Sequence, residues 1–225
     1  MLPRLHDGER IFVNKLIYYD EFGWAPKLER GDIVAPDPGD PAPDALLTDL
    51  ERREVRLSSL WRERPAVVVF LRYFGCPFCQ TQVVTLRNEH ERIRRSGADV
   101  GLVGHGDPEA AIEFASSKGL PFPLLLDRDR GTYRAYGLVQ GKAMQVLSPR
   151  VALPWIRAEL SSETRQHGLA GGNFLQMPGT FVIDTSGVVQ ARGGRVRMAH
   201  RNRNFADAPS IERLLEALAG AGRPP

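Results

Sequence analysis

The chain has two cysteines in 225 residues, and they stand three apart in Cys76-Pro77-Phe78-Cys79. On a first helical turn that spacing brings both sulfurs to one face, where they can cycle between dithiol and disulfide. The run before them, Ala66-Val-Val-Val-Phe70, is apolar and β-branched, the pattern of a strand buried on both faces. After Gln80 the spacing changes to Val83, Leu86, His90 and Ile93, which predicts a helix. The pair therefore sits where a strand turns into a helix, with Pro77 suited to the first turn. Free N–H groups and partial positive charge at that turn favour a thiolate. A cysteine so placed falls from a pKa of ~8.5 to about 7 or below. Nucleophilicity falls with pKa, so the net gain at neutral pH is only ~3-fold. The larger gain is a second thiol one turn away, which makes the next displacement intramolecular. Cys76, nearer the helix end, is read as the nucleophile and Cys79 as the resolver.

Two blander readings compete with a redox pair. Small buried cysteines can be inert core residues. They could also be half a zinc site, but structural zinc takes four ligands. The five histidines (His6, His90, His105, His167 and His200) show no recognisable ligand spacing. No metal and no other cofactor is expected.

The elements that must hold the pair follow from the rest of the chain. Hydrophobic residues make up 42%, enough for a packed core, and the formal net charge of +3 is small for this length. Nucleic-acid binding therefore has no support from overall charge. No run approaches the 18 or more apolar residues of a membrane span, and the first ten residues lack the apolar centre of a signal peptide. Two cysteines in a redox motif, with none left for structural bridges, suit a cytoplasmic protein.

Residues 45–50 and 53–57 read as an opening hairpin, and 57–61 as a helical turn. A second buried strand spans 98–104. Asp107 and Pro108 open a helix that ends at Gly119, a short strand covers 121–127, and a helix covers 128–136. Residues 138–172 read as an insertion packed on the domain, with an amphipathic helix over 149–160. Residues 176–184 and 188–192 form a hairpin, and 211–218 a closing helix. Strands alternating with helices predict an α/β fold with a central mixed sheet flanked by helices. Pro36-Asp-Pro-Gly-Asp-Pro-Ala-Pro43 reads as a stiff linker.

The first 35 residues form a short N-terminal β-type appendage. Met1-Leu-Pro-Arg-Leu-His-Asp-Gly-Glu-Arg-Ile-Phe-Val-Asn-Lys15 and Arg30-Gly-Asp-Ile-Val34 resemble two boxes of type I signal peptidases. Neither the serine nor the lysine of that family's dyad is present, so residues 1–38 are expected to be a remnant or fusion, dispensable to the domain at 39–225.

The domain itself resembles the peroxiredoxin-like branch of the AhpC/TSA family, in its Cys-x-x-Cys form, within the thioredoxin fold. The likeness rests on Phe70-Leu-Arg-Tyr-Phe-Gly-Cys-Pro-Phe-Cys79, Leu120-Pro-Phe-Pro-Leu124, Tyr133-Arg-Ala-Tyr-Gly137, Met177-Pro-Gly-Thr-Phe-Val-Ile-Asp184 and His200-Arg-Asn-Arg203. It implies an antioxidant oxidoreductase that reduces a peroxide or a disulfide and is itself reduced by an external thiol donor of thioredoxin or glutathione type. It also implies that Pro178 takes a cis bond beside the redox pair. Tyr73 stands where typical members have threonine or serine, and Pro178 where they have arginine. Tyr73, Pro77 and Pro178 are the expected substrate-positioning residues. Arg72 either supplies positive charge near Cys76 or is a solvated or core-rim arginine, and the second reading is preferred because strand alternation puts it on the face opposite Tyr73. His105 is either a loop histidine or an acid–base group. Arg192, Arg195, Arg197, Arg201 and Arg203 are read as a solvated basic face. The competing functional class is a redox-sensing interaction module switched by a Cys76–Cys79 disulfide.

Overall fold

A computed structural model describes residues 35–141, 173–185 and 194–219. The signal-peptidase-like boxes, the helix expected at 149–160 and the strand expected at 188–192 lie outside the described residues.

Seven strands form one sheet: β1 (Leu46–Thr48), β2 (Glu54–Arg56), β3 (Ala66–Phe70), β4 (Asp99–Gly104), β5 (Leu124–Leu126), β6 (Gly179–Asp184) and β7 (Arg195–Arg201). Their order is β2-β1-β5-β4-β3-β6-β7. β3, β4 and β5 are parallel, while β1, β6 and β7 run antiparallel to their neighbours. The sheet is therefore mixed, and β3 lies inside it between β4 and β6. All five β3 residues are buried, as an unbroken apolar run requires of a strand covered on both faces. Each Val or Phe buried there contributes about 1.5–3 kcal/mol by leaving water.

Two apolar layers cover the sheet. Val67 and Val69 face α1 (Pro77–Asn88), α2 (His90–Arg95), α3 (Pro108–Lys118) and α5 (Ile211–Ala219). Val68 and Phe70 face Leu57, Trp61 and the aromatic pair Tyr133 and Tyr136, of which Tyr133 lies on α4 (Gly131–Ala135). The predicted cysteine helix appears as α1 and α2, separated only at Glu89, and Val83, Leu86, His90 and Ile93 are all buried. Asp107 holds the N-cap position of α3 without a side-chain cap bond, and Gly119 ends that helix with a left-handed φ of 56°. That conformation suits glycine, which carries no Cβ to clash.

The strand that pairs with β6 on the side away from β3 is β7, with Asp184 opposite Arg195. Two expectations change. The proline-rich stretch is no free linker. Gly39 and Ala42 donate to the carbonyls of Val196 and Gly194, and Asp40 accepts from Val196. Prolines are tolerated there because this is a sheet edge. The arginine run, finally, is largely consumed by the fold. Arg197 pairs with buried Asp184, Arg195 donates to Gly39, and Arg201 donates to Tyr136 and Pro36 and lies 3.5 Å from Asp37.

Candidate active site

Chemistry-bearing side chains gather where the parallel strands β3, β4 and β5 end, the end at which open α/β sheets place their sites. β3 stops at Phe70, and residues 71–76 cross to α1 without strand geometry. Leu71 still donates to Val103, so the crossing starts tethered to β4. Phe74 packs into the space left by Gly104, where a Cβ would stand 2.7 Å from its ring, so a larger residue there would displace Phe74. Cys76 takes the N-cap position of α1, with extended backbone (φ −74°, ψ 118°), and Pro77 fills the first helical position. The Cys76 N–H donates to the Tyr73 carbonyl at 3.2 Å, and its carbonyl accepts from Gln80 at 3.0 Å. Both sulfurs are free thiols and both are buried, Cys76 at 0% exposure and Cys79 at 2%.

Burial pushes the Cys76 thiol up, but a hydrogen bond from Cys79 and the Arg72 guanidinium outweigh it and hold the pKa at about 6. Arg72 Nη1 donates to Cys76 Sγ at 3.8 Å. For Cys79 the sign is opposite: its hydrogen bond to Cys76 and its burial raise it well above the ordinary value. The Arg72 backbone N–H donates to Cys79 Sγ at 3.3 Å. The two thiols are thus differentiated as a thiolate and a protonated neighbour. At pH 7 a pKa of about 6 leaves roughly nine-tenths of Cys76 as thiolate.

Arg72 is not on the rim. It is only 4% exposed, its Nε donates to the Phe174 carbonyl at 2.6 Å, and its guanidinium carbon lies 3.5 Å from the Phe205 ring centre and 5.1 Å from that of Tyr73. The alternation argument fails because β3 has already ended, so Arg72 and Tyr73 are not bound to opposite faces of a pleat. Tyr73 is half-buried beside Arg72, and its carbonyl orients Cys76. Pro178 is placed at this end by register, since Gly179 pairs with Phe70. Its carbonyl accepts from Asn202. The described residues contain no cis peptide bond, so Met177–Pro178 is trans, contrary to the expectation for that position. Trans is the ground state even for X–Pro bonds.

His105 follows β4 and is 3% exposed, with its ring edge-on to Tyr133. Burial lowers its pKa to about 4, with a smaller opposing effect from the Arg72 backbone, so it is neutral at pH 7. Among the described residues its Nε2 has no hydrogen-bond partner. It is a loop histidine, but a buried and neutral one. Tyr133, which sequence reasoning passed over, has its hydroxyl within 2.7 Å of the Leu71 carbonyl and 3.0 Å of Val103's, and so supports the crossing from inside the core. Its only sequence signal was membership of Tyr133-Arg-Ala-Tyr-Gly137. A cavity of about 540 Å3 at the opposite end of the sheet, lined by His90, Asp99 and Phe122 among others, includes none of these residues.

Residues 38–192 match the AhpC/TSA family. The chain belongs to that family. It is 28% identical over 181 residues to Peroxiredoxin-like 2C of Mus musculus, covering 76% of this chain and 75% of that one. It is 34% identical over 103 residues to Thiol-disulfide oxidoreductase ResA of Geobacillus thermodenitrificans, covering 44% and 57%. In three dimensions it resembles the Peroxidoxin BcpB of Mycobacterium tuberculosis, with a TM-score of 0.58, 20% identity, and 82% and 97% of the two chains covered. The fold is thioredoxin-like, and this AhpC/TSA member is a thiol-dependent redox enzyme.

Proposed function

We propose that the protein is a peroxidase in which the Cys76 thiolate attacks a small hydroperoxide. The supporting observation is a single arrangement: a buried Cys76 sulfur facing the buried Arg72 guanidinium, with protonated Cys79 one helical turn away. A sulfur with no exposed surface suits a substrate of a few atoms better than a protein disulfide.

Cys76 Sγ bonds to the terminal peroxide oxygen, the O–O bond breaks, and the alkoxide leaves as an alcohol by taking a proton from solvent. Arg72 lies where negative charge moves from sulfur to oxygen, and preorganised charge of that kind lowers a barrier without reorganising. Cys79 Sγ then attacks the Cys76 sulfenic acid. The S–S bond forms, the S–O bond breaks, and hydroxide departs with the Cys79 proton as water. An external dithiol supplies the two electrons and two protons that restore the pair. Tyr73 and Pro77 would border the approaching substrate beside Arg72, and Pro178 would close the site from β6.

The test is anaerobic stopped-flow with the reduced protein, comparing hydrogen peroxide with oxidised glutathione and with an insulin disulfide. The reading expects peroxide to oxidise the pair at least about tenfold faster than either disulfide, a barrier difference of roughly 1.4 kcal/mol. Faster reaction with the disulfides would replace peroxidase by thiol–disulfide exchange. Oxidation to a Cys76–Cys79 disulfide without turnover in the presence of thioredoxin or glutathione would mark a sensor.

A further inference from the structure

The cavity at the amino end of the parallel strands plays no part in the cysteine chemistry, which sits at their carboxyl end. Its 540 Å3 lies within the ~300–1,000 Å3 of small-molecule sites. The β1–β2 turn, the helical turn at 57–61, α2, the start of β4 and the loop leading into β5 all contribute walls. Leu50, Leu60, Leu120 and Phe122 supply apolar surface, and the three leucines are only partly buried, so some of that surface is left uncovered. The charges on the wall are already paired. Arg53 lies 2.7 Å from Asp49 and 2.9 Å from Glu51, and Arg94 lies 3.6 Å from Asp99. His90 is different. It opens α2 on the cavity wall, is 9% exposed, and meets the Phe122 ring edge-on at 5.5 Å. Among the described residues neither of its ring nitrogens has a hydrogen-bond partner. Polar atoms so enclosed are costly to leave unpaired.

We propose that this cavity binds a neutral alcohol or phenol with an apolar body, its hydroxyl on His90 and its body on Leu50, Leu60, Leu120 and Phe122. The polar group follows from the histidine. A hydroxyl both donates and accepts, so it pairs with a protonated or an unprotonated ring nitrogen, whereas a carbonyl or an ammonium pairs with only one of them. The body follows from the leucines, because covering their exposed surface is the main gain available. Neutrality follows from the charges. An anion finds no free guanidinium, since Arg53 and Arg94 are held by carboxylates, and it meets three carboxylates against two guanidiniums. A cation gains little from carboxylates as exposed as Glu51 and Asp99. Occupancy joins the β1–β2 turn to α2 and stabilises the folded chain by mass action. It leaves Cys76 and Cys79 untouched, so the site is a binding function separate from the redox chemistry.

Isothermal titration calorimetry on the reduced full chain tests this with p-ethylphenol, ethylbenzene and p-ethylbenzoate, which share a body and differ in the polar group. The phenol should bind one to one, at least about tenfold tighter than either of the others. Amide NMR shifts on adding it should move at residues 49–60, 90–100 and 115–125, and stay still at 72–79. In His90→Phe the phenol and ethylbenzene should bind within about twofold of each other. Ala115 also lines the cavity and is partly buried, so Ala115→Phe narrows the space and should weaken both ligands by at least about tenfold. Circular dichroism reports whether each variant folds, and the wild-type comparison of the three probes decides the matter without them. Absence of heat and of shifts with every probe, or shifts centred on 72–79, would overturn the proposal. So would ethylbenzene or p-ethylbenzoate binding as tightly as the phenol, or a phenol preference that survives in folded His90→Phe.

Discussion

Arginines occur in two settings in this molecule, and they do opposite work. Arg195, Arg197 and Arg201 form a run on an edge strand, and each is tied to the protein's own carbonyls or carboxylates. Arg72 stands alone in an apolar stretch, is buried, and faces a thiol whose pKa is lowered to about 6. Clustering in sequence raised the first set as a candidate surface and left the second on the rim. In the folded chain the cluster closes a sheet edge, and the lone residue adjusts a thiol. The general lesson is about partners. A cation whose neighbours are carbonyls and carboxylates is structural, whereas one whose anionic neighbour is a thiolate changes that thiol's chemistry.

Substitutions can break this contrast, and the largest effect is expected on the structural side. Arg197→Met takes the guanidinium away from the Asp184 carboxylate, which is 1% exposed, and removing the cation of such a part-buried pair costs at most about 3 kcal/mol. Urea unfolding should show that loss, while alkylation of Cys76 by iodoacetamide at pH 6 keeps its wild-type rate. A slower alkylation would mean that the edge strand also adjusts the thiol.

His105 extends the comparison to a basic side chain that has no anion. Its pKa is lowered to about 4, below the ordinary 6.5, so between those values the unfolded chain binds more protons than the folded one. This contribution to stability is complete above pH 6.5 and is lost as pH falls toward 4, by roughly 3 kcal/mol. Melting followed across that range should show the decline, and His105→Asn should flatten it. An unchanged slope in the variant would assign acid sensitivity elsewhere, for example to carboxylates.

Arg72→Met tests the functional side. Without the guanidinium the Cys76 pKa moves up from about 6. The falling thiolate fraction is partly offset by greater nucleophilicity, so alkylation at pH 6 should slow by about tenfold, with stability little changed or improved. Arg201→Met, in the same assay, should leave the rate alone. If Arg72→Met alkylates at the wild-type rate, the helix terminus and Cys79 alone lower the thiol.

The smallest effect concerns the sheet edge. A chain beginning at Pro43 loses the backbone bonds from Gly39 to Val196, Ala42 to Gly194 and Val196 to Asp40, and the side-chain bonds from Arg195 to Gly39 and Arg201 to Pro36. At an exposed edge these are worth about 1 kcal/mol together. The midpoint in urea should fall slightly, and peroxide reactivity should not. A large loss would make residues 39–42 part of the core.

Much of this protein is local information, and local information is what a sequence carries openly. The apolar β-branched run 66–70, the Pro77 start of a helix with its 3.6-residue period, and the Pro108 and Gly119 boundaries of α3 each follow from a few neighbouring residues. So does the Cys76–Cys79 spacing, because one helical turn fixes where two sulfurs can be. Tertiary structure decided whatever depends on chain segments far apart. That β6 takes β3 on one side and β7 on the other is such a case, since strand partners and register join residues far apart in the chain. Arg72 is the clearest case. Its distance to Cys76 follows from sequence separation, but its burial requires Phe174, about a hundred residues later, and Phe205, later still. Charge in a protein acts through its surroundings. The residues that could perform redox chemistry were therefore written in the sequence, and which of them adjusts the thiolate emerged only when distant loops enclosed the guanidinium.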